Sequence, residues 1–281
     1  MGIEHLQQQL FEMLLTFDEI CRKENITYYL DSGAAIGAVR EHGFIPWDDD
    51  IDIALKRVDY EKLRRVIGRH LPPHLKFIQP EDYAPLFYDF FPRLINMNIP
   101  LHSETEEDRQ YHNYQNRASI DLVILDNAPD KKVSQKLMRF KLKMIYGMCM
   151  SKRYKLDRSS YTFLEKLQSI VCEFIGRPFS LKQLHRMHDR VLTKKRYNNS
   201  RSLIRGNSLI KYIDFYKKEY YSDTVMLDFN GKKFPLPVGY DFVLTQLYGD
   251  YMTPAKNYDG YIQHADEKYV EKNRNGDTHE E

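Results

Sequence analysis

Apolar residues recur at three- and four-residue spacing over the first part of the chain. They are Ile3, Leu6, Leu10, Met13, Leu14, Phe17, Ile20 and Cys21. This spacing predicts an amphipathic helix over 3–24, because such positions share one face of a helix. The apolar run at 26–30 predicts a strand. The small residues of "DSGAAIGAVR" (31–40) then predict a tight turn followed by a short helix.

The pattern changes to strict alternation in "DIDIAL" (50–55), which predicts a second strand. A helix is predicted over 58–71, and Pro72 ends it. The segments 75–79 and 86–97 look extended, and Pro92 favours an edge position or a bulge for the second of them. "SIDLVIL" (119–125) is a strong strand candidate.

After Pro129 the pattern becomes helical. Three helices are predicted, over 131–153, 160–175 and 180–196. Towards the end, Asn230-Gly231 lies between two alternating segments and predicts a hairpin over 224–237. A last helix is predicted to stop at Gly249.

These elements indicate the α/β (α+β) class, with a mixed sheet flanked by helices and an additional helical subdomain. We expect an α/β core over 1–128 and a helical subdomain over 129–221. The hairpin and helix of 222–266 are expected to pack back on the core, and 267–281 reads as a polar tail.

Composition narrows the class of protein. The chain has 281 residues, 42% hydrophobic and 29% charged, with a net charge of +2. This is typical of a soluble globular protein without a nucleic-acid partner. Its three cysteines are far apart in the sequence, which fits a reducing compartment. No signal peptide and no apolar run of about 18 residues is recognised, so we expect a cytoplasmic protein, at most peripheral to the inner face of the cell membrane.

The segment "GFIPWDDDIDIAL" (43–55) crowds four carboxylates against apolar residues: Asp48, Asp49, Asp50 and Asp52. Two carboxylates about 4 Å apart repel by roughly 1 kcal/mol in water and by more at lower dielectric. If the strand starts early, Asp48, Asp50 and Asp52 share one of its faces. A bound Mg²⁺ or Mn²⁺ would offset the repulsion, since hard oxygen ligands suit these ions. A solvated acidic turn is the alternative interpretation.

Two further segments belong with this one. "YYLDSGAAIG" combines a strand, a small-residue turn and a helix, so that backbone N–H groups can approach a phosphate. "SIDLVIL" offers a single carboxylate, Asp121, among apolar residues. If the three strands are neighbours in one sheet, Asp50, Asp52 and Asp121 converge, which outlines a phosphoryl-transfer site.

The segment "SGAAIGAVREHGFIPWDDDIDIAL" resembles the signature of the LicD family of phosphocholine transferases, relatives of the fukutin group within the nucleotidyltransferase-fold superfamily. "FFPRLIN", "ASIDLVILDNAP" and "FPLPVGYDFVLTQLYGDYMTPAKNY" resemble later motifs of that family in order, so the similarity spans about 25–260. The superfamily pattern begins with a hydrophobic residue, Gly, and Gly or Ser; "DSGAAIG" departs from it, with Ser before Gly33.

The resemblance implies a nucleotidyltransferase-like catalytic core over 1–128, a reaction and a set of residues for it. CDP-choline binds with Mg²⁺ (or Mn²⁺), a sugar hydroxyl of a cell-surface glycan or its lipid-linked precursor attacks, and CMP leaves. The glycan would be of the teichoic acid or lipopolysaccharide type. Asp50 and Asp52 would hold the metal with help from Asp48, and Asp121 would be a third ligand or the general base.

Phosphate and choline contacts follow from side-chain chemistry. Ser32 and Gly33 would contact phosphate or nucleotide, and Arg40 and Arg93 could bind phosphate oxygens in bidentate fashion. The quaternary ammonium of choline prefers aromatic faces. Trp47 and Tyr88 are the candidates for that role, and ordinary core packing is the alternative for either ring.

Two features lie outside this constellation. The segment 131–158 is basic with interleaved apolar residues, which is typical of a helix on anionic lipid and equally of a solvated helix face. His185 and His188 are three residues apart on a predicted helix. We expect them to be an exposed pair and not a metal site.

Other functions remain open at this stage. The enzyme could transfer another CDP-activated alcohol phosphate, such as ribitol phosphate, or a nucleotidyl unit. The chain could also be a catalytically silent binding module, or a sugar-nucleotide glycosyltransferase that uses its D-x-D motif.

Overall fold

Eight α-helices and nine β-strands form the part of the chain that the structure, a computed structural model, describes: residues 2–159, 161–208 and 213–254. The helices are α1 (Gly2–Lys23), α2 (Ser32–Ile36), α3 (Arg57–Val66), α4 (Glu106–Gln110), α5 (Lys132–Met150), α6 (Phe163–Gly176), α7 (Leu181–Leu192) and α8 (Tyr240–Tyr248). The strands are β1 (Tyr29–Asp31), β2 (Ile51–Lys56), β3 (Leu75–Ile78), β4 (Arg93–Asn96), β5 (Ser119–Ala128), β6 (Ser202–Arg205), β7 (Phe215–Lys217), β8 (Thr224–Phe229) and β9 (Lys232–Pro237).

The main sheet has seven strands and is centred on β5. One edge of β5 pairs in parallel with β2, which pairs in turn with antiparallel β1. The other edge is shared, because β4 pairs with the beginning of β5 and β6 with its end, both antiparallel. Strands β3 and β7 extend β4 and β6 outward. The mixed sheet with flanking helices confirms the α/β (α+β) class, and β1, β2 and β5 are neighbours, as the site hypothesis requires.

The largest hydrophobic core lies between α1 and one face of the sheet. Ile51 and Ile53 of β2 are fully buried there against apolar residues of α1 such as Leu10. The hairpin β8–β9 contributes Phe229 and Phe234 to the same core. It turns at Asn230-Gly231, where both residues have positive φ, as the sequence predicted.

Helix α5 packs against both α6 and α7, around a second core that contains Cys149, Cys172 and Leu184. Strands β6 and β7 follow within 129–221 and were not foreseen from the sequence. The proposed domain boundaries stay a prediction, and the tail 267–281 lies outside the described residues. Among the helices of the described ranges, none has the length and apolarity needed to cross a lipid bilayer.

Two predicted strands differ from those observed. The strand expected over 26–30 begins only at Tyr29. Of the extended segment 86–97, only Arg93–Asn96 forms a strand, and it lies between β3 and β5, so the expected edge or bulge at Pro92 is wrong. Pro92 precedes the strand, where its missing N–H is not needed, and its carbonyl accepts a hydrogen bond from Leu122 N at 2.9 Å.

The pair His185 and His188 is buried, not exposed as predicted. The His188 ring stacks on Phe90 with centroids 3.7 Å apart, and its Nε2 lies 3.2 Å from the carbonyl oxygen of Gly206. Burial lowers the pKa of His188 to about 3, with smaller contributions from His185 and Arg57. The side chain is therefore neutral at physiological pH and belongs to the packing between α7 and the sheet.

This histidine predicts a pH dependence of stability. The pKa of His188 is near 6.5 when unfolded and about 3 when folded, so the unfolded chain binds more protons between these values. The contribution is complete above pH 6.5 and is lost as the pH falls towards 3. Between pH 7 and pH 5, the free energy of unfolding should fall by about 2 kcal/mol through this side chain. In urea unfolding at pH 7 and 5, His188→Gln should reduce the pH-dependent loss by about this amount, whereas His74→Gln, at an exposed position, should not.

Candidate active site

A row of four charged side chains crosses the middle of the main sheet. Strand register places Asp31 of β1 opposite Asp52 of β2, Asp52 opposite Asp121 of β5, and Asp121 opposite Arg93 of β4. Residues opposite one another in a sheet project from the same face, so all four lie on one side. The apolar neighbours Ile51 and Ile53 project into the core on the other side.

The loop before β2 carries the remaining carboxylates. Because β2 begins at Ile51, Asp48 and Asp50 belong to this loop, so the early strand start under which they would share a face with Asp52 is not observed. The Gln7 side chain on α1 donates hydrogen bonds to the carbonyls of Ile45 (3.0 Å) and Asp48 (2.9 Å). These contacts hold the loop against α1, a role for Gln7 that its position in the sequence gave no reason to expect.

A cleft with a volume of about 570 Å³ opens above the row of charges. Every site residue proposed from the sequence lines it: Asp48, Asp50, Asp52, Asp121, Ser32, Gly33, Arg40, Arg93, Trp47 and Tyr88. Tyr146 and Arg153, from α5 and the turn that follows it, close one side. Tyr248 and Tyr251, from the end of the described chain, line another part. The fold thus brings together residues from both sides of Pro129.

Asp52 lies at the centre of the strongest electrostatic conflict in the cleft. Burial raises its pKa well above the ordinary value, and the neighbouring charges of Asp50, Asp121 and Asp31 raise it further. Arg205 acts in the opposite direction. Ionised Asp52 is therefore costly here unless positive charge is supplied.

Asp121 is held by Arg93. The Arg93 Nε donates to both carboxylate oxygens of Asp121, at 2.9 and 3.0 Å, and Ser119 Oγ donates to one of them at 2.7 Å. The same guanidinium makes two further bonds to Asp89, at 3.0 and 2.6 Å. Arg93 is thus an anchor for two carboxylates, and its bonding capacity is largely used within the protein.

Asp31 and Arg205 are site residues that sequence reasoning missed. The guanidinium of Arg205 lies 2.6 Å from Asp31 Oδ2, and both side chains are almost completely buried. Arg205 also donates to Ser32 Oγ at 3.2 Å. Asp31 could have been noticed as the polar end of the first strand, but Arg205 lies 174 positions away in an unforeseen strand.

The small-residue turn after β1 brings backbone close to the acidic loop. Ser32 has a positive φ of 47°, and a Cβ added to Gly33 would lie 2.5 Å from Asp48 Oδ2. Only glycine therefore fits beside Asp48 without movement. Arg40 lies near the cleft rim, where it donates to Glu41 Oε1 at 2.6 Å and to the carbonyl of Tyr251 at 2.7 Å.

The two aromatic candidates have different surroundings. Trp47 is partly exposed and packs against the main core at the edge of the cleft. The ring of Tyr88 already has two guanidinium carbons, of Arg93 and Arg153, within 5.3 Å of its centroid. A cationic ligand on Tyr88 would meet this positive charge, so Trp47 is the more suitable of the two for a quaternary ammonium.

The donor set suits a hard divalent cation, since the available ligands are carboxylate oxygens around the destabilised Asp52. Asp121 and Asp31 are instead bonded to Arg93 and Arg205. Among the described residues, no three acidic, histidine or cysteine side chains are grouped closely enough to hold a metal ion in this arrangement. The carboxylates therefore match such an ion in their ligand chemistry, but binding would require them to move closer together, and ligation by Asp121 would require its bonds to Arg93 to be shared or exchanged.

Comparison with known proteins finds similar sequences. Residues 25–85, which carry the small-residue turn and the acidic loop, match the family model described as LicD/FKTN/FKRP, nucleotidyltransferase domain. The chain is 26% identical over 275 residues to the lipopolysaccharide cholinephosphotransferase LicD of Haemophilus influenzae, covering 94% of this chain and 97% of the relative. An uncharacterised protein of Rickettsia prowazekii is 38% identical over 58 residues, 21% of this chain and 22% of the relative.

Proposed function

We propose that this chain is a phosphotransferase of the LicD family that moves phosphocholine onto a sugar hydroxyl of a lipopolysaccharide-type glycan. The proposed donor is CDP-choline and the released product is CMP. Similarity along nearly the whole length of a cholinephosphotransferase supports the reaction class.

The register between β2 and β5 carries this proposal. It brings Asp52 and Asp121, 69 positions apart in the sequence, side by side on the floor of a cleft. A diphosphate donor is strongly anionic, and a site of carboxylates binds it only with compensating positive charge. Cations that line the cleft, such as Arg153 and Arg205, supply part of that charge.

Bond changes in the proposed reaction are simple. The oxygen of the acceptor hydroxyl forms a bond to the β-phosphorus of CDP-choline, and the bond between that phosphorus and the bridging oxygen breaks. The electron pair leaves with CMP, and the hydroxyl proton passes to a base. Asp121 is our candidate for that base, with a direct ligand role as its alternative.

Asp50, Asp52 and Asp121, assisted by Asp48, are the residues that would hold Mg²⁺ or Mn²⁺. When bound, such an ion would neutralise charge on the diphosphate. Asp52 acts as the central carboxylate, because three other carboxylates already raise its pKa. Ser32 and Gly33, in the small-residue turn after β1, are the candidates for contact with the donor phosphates.

Arg40 is the candidate for a phosphate contact at the cleft rim, and Arg93 would contact phosphate while positioning Asp121. Trp47 is the candidate for the choline headgroup, with Tyr88 behind it. The acceptor is proposed to be lipid-linked, and a glycan of the teichoic acid type is the second candidate. The reaction is proposed to occur in the cytoplasm at the inner face of the cell membrane, and the buried free thiols Cys21, Cys149 and Cys172 fit a reducing compartment.

Release of CMP tests this function. The purified chain should release CMP from CDP-choline when Mg²⁺ and a lipopolysaccharide or lipid-linked oligosaccharide acceptor are present, and chelation should stop the release. The acceptor should gain the mass of one phosphocholine. Parallel reactions with CDP-ribitol, CTP and a sugar nucleotide separate the alternative donors.

Each outcome has a definite meaning. Turnover of CDP-ribitol or CTP in preference to CDP-choline would replace the proposed donor and retain the reaction class. Turnover of a sugar nucleotide alone would indicate a glycosyltransferase. No turnover of any donor, together with no Mg²⁺ or Mn²⁺ binding by calorimetry, would contradict the proposal and favour a binding module.

A further inference from the structure

Helix α6 exposes an apolar face to solvent. Seven large apolar side chains on it are between 43% and 79% exposed: Phe163, Leu164, Leu167, Ile170, Val171, Phe174 and Ile175. Their spacing of three, four and seven residues places them on one face of a helix. A water-exposed helix face usually carries polar residues, so a continuous apolar face of this size indicates a binding surface.

The opposite side of α6 is fixed to α5. Cys172 and Gly176 are buried, and a Cβ added to Gly147 of α5 would lie 2.7 Å from Cys172 Sγ. A Cβ added to Gly176 would lie 3.0 Å from Met148. This close contact fixes the rotation of α6 about its own axis. The packing against α5 therefore directs the apolar face outward.

The segment that contains this helix carries a strong positive charge. Residues 130–196 contain eighteen Lys and Arg against five Asp and Glu, a formal charge of +13 in a chain whose total is only +2. The first half of α5 adds Val133 and Phe140, 80% and 60% exposed, between exposed lysines such as Lys132 and Lys136. Apolar side chains among basic ones match the two components of an anionic lipid surface, which are the apolar acyl chains and the negatively charged headgroups.

The dimensions of α6 fit binding along a bilayer. Fourteen residues make a helix about 21 Å long, shorter than the hydrocarbon core of about 30 Å. One side of α6 is also occupied by α5. Phe and Leu side chains can enter the interfacial region while lysines contact lipid phosphates.

We propose that the apolar face of α6, together with the basic first half of α5, docks this protein on an anionic lipid bilayer. The basic segment 131–158 was the only membrane contact expected from the sequence, and α6 lies outside it. Docking does not depend on the proposed reaction. The functional consequence of docking does depend on that reaction. Tyr146 lines the cleft next to Gly147, where α6 is attached, so a docked α6 would hold the cleft within one helix of the lipid surface.

Vesicle co-sedimentation of the full chain tests the docking. The protein should bind vesicles of phosphatidylcholine with 30% phosphatidylglycerol at least tenfold more tightly than vesicles of phosphatidylcholine alone, and 0.5 M salt should weaken the binding. The double variant Leu164→Asn with Phe174→Asn should lose at least tenfold in affinity. The double variant Lys132→Glu with Lys136→Glu should also lose at least tenfold in affinity for these vesicles. All four positions are exposed, so the fold should be retained.

A matched control changes two exposed apolar residues elsewhere, Val58 on α3 and Met226 on β8, to asparagine; it should bind vesicles as the unchanged chain does. Equal binding by the Leu164→Asn, Phe174→Asn variant and the unchanged chain would overturn the proposal. A second result would also overturn it: the unchanged chain forms a dimer in sedimentation velocity and does not bind vesicles, and the variant is a monomer. The face would then be covered by a second copy of the chain. The vesicle assay contains no donor, so failure of the proposed reaction would leave its result unchanged.

Discussion

Asp52→Asn is expected to reduce CMP release from CDP-choline by about 10³-fold or more, the order of loss when a charge-stabilising group is removed from a preorganised site. Asp52 lies between Asp31 on one neighbouring strand and Asp121 on the other. Its carboxylate is therefore at the centre of the proposed metal ligands. Asparagine keeps the shape of the side chain and removes the charge.

The same substitution should not destabilise the fold. Burial and three neighbouring carboxylates disfavour ionised Asp52 in the absence of a cation, so neutral asparagine relieves a repulsion. The melting temperature without metal should therefore be unchanged or higher. Mg²⁺ should raise the melting temperature of the unchanged chain and have little effect on that of the variant.

Asp157→Asn is the matched control, because this carboxylate is exposed in a loop and does not line the cleft; its activity and metal response should match those of the unchanged chain. Undiminished turnover by Asp52→Asn would remove the central carboxylate from the mechanism. A large drop in its melting temperature would instead indicate a structural role.

Arg93→Met is expected to lower the free energy of unfolding by about 3–5 kcal/mol, the cost of leaving buried charge without its partner. Arg93 makes two bonds to Asp89 and two to Asp121, and its own side chain is only 10% exposed. Burial alone would lower the pKa of Arg93, but the two carboxylates outweigh it and the pKa is raised. The guanidinium is thus charged, and its removal leaves two carboxylates facing each other.

Urea unfolding measures this loss. Arg93→Lys keeps one positive charge without the fork geometry and should recover only part of the stability. Arg109→Met breaks an ion pair with Glu104 in which both partners are about half exposed, and it should cost less than 1 kcal/mol. A loss below 1 kcal/mol for Arg93→Met would mean that Asp89 and Asp121 do not depend on this residue.

The predicted elements agree with the structure wherever a local pattern is strong. The spacing of Leu6, Leu10 and Phe17 predicted α1, the alternation in "DIDIAL" predicted β2, and Asn230-Gly231 predicted the hairpin. Each of these signals lies within a few residues, because helix and strand periodicity and turn geometry are local properties. Pro92 misled the prediction, since a proline just before a strand and one at an edge look alike in sequence.

The candidate site was accessible from sequence only in part. Asp50, Asp52 and Asp121 stood out because carboxylates beside buried apolar residues need compensation. Gln7 and Arg205 gave no such signal, since each acts through contacts with segments tens to almost two hundred positions away. The outward face of α6 was also hidden, because apolar periodicity shows that a helix has a face and does not show what the face contacts.

By itself, the sequence determined the strongly patterned elements, such as α1, β2 and the β8–β9 hairpin, and the crowding of carboxylates at the start of β2, since both are set by neighbouring residues. Only the tertiary structure decided that Asp31, Asp52, Asp121 and Arg93 form one row, that Arg93 is bonded to two carboxylates, and that α6 turns its apolar side to solvent. The physical reason is that strand register and helix rotation are chosen by the packing of the whole chain. A shift of one residue in the register of a strand would send every side chain of that strand to the opposite face of the sheet.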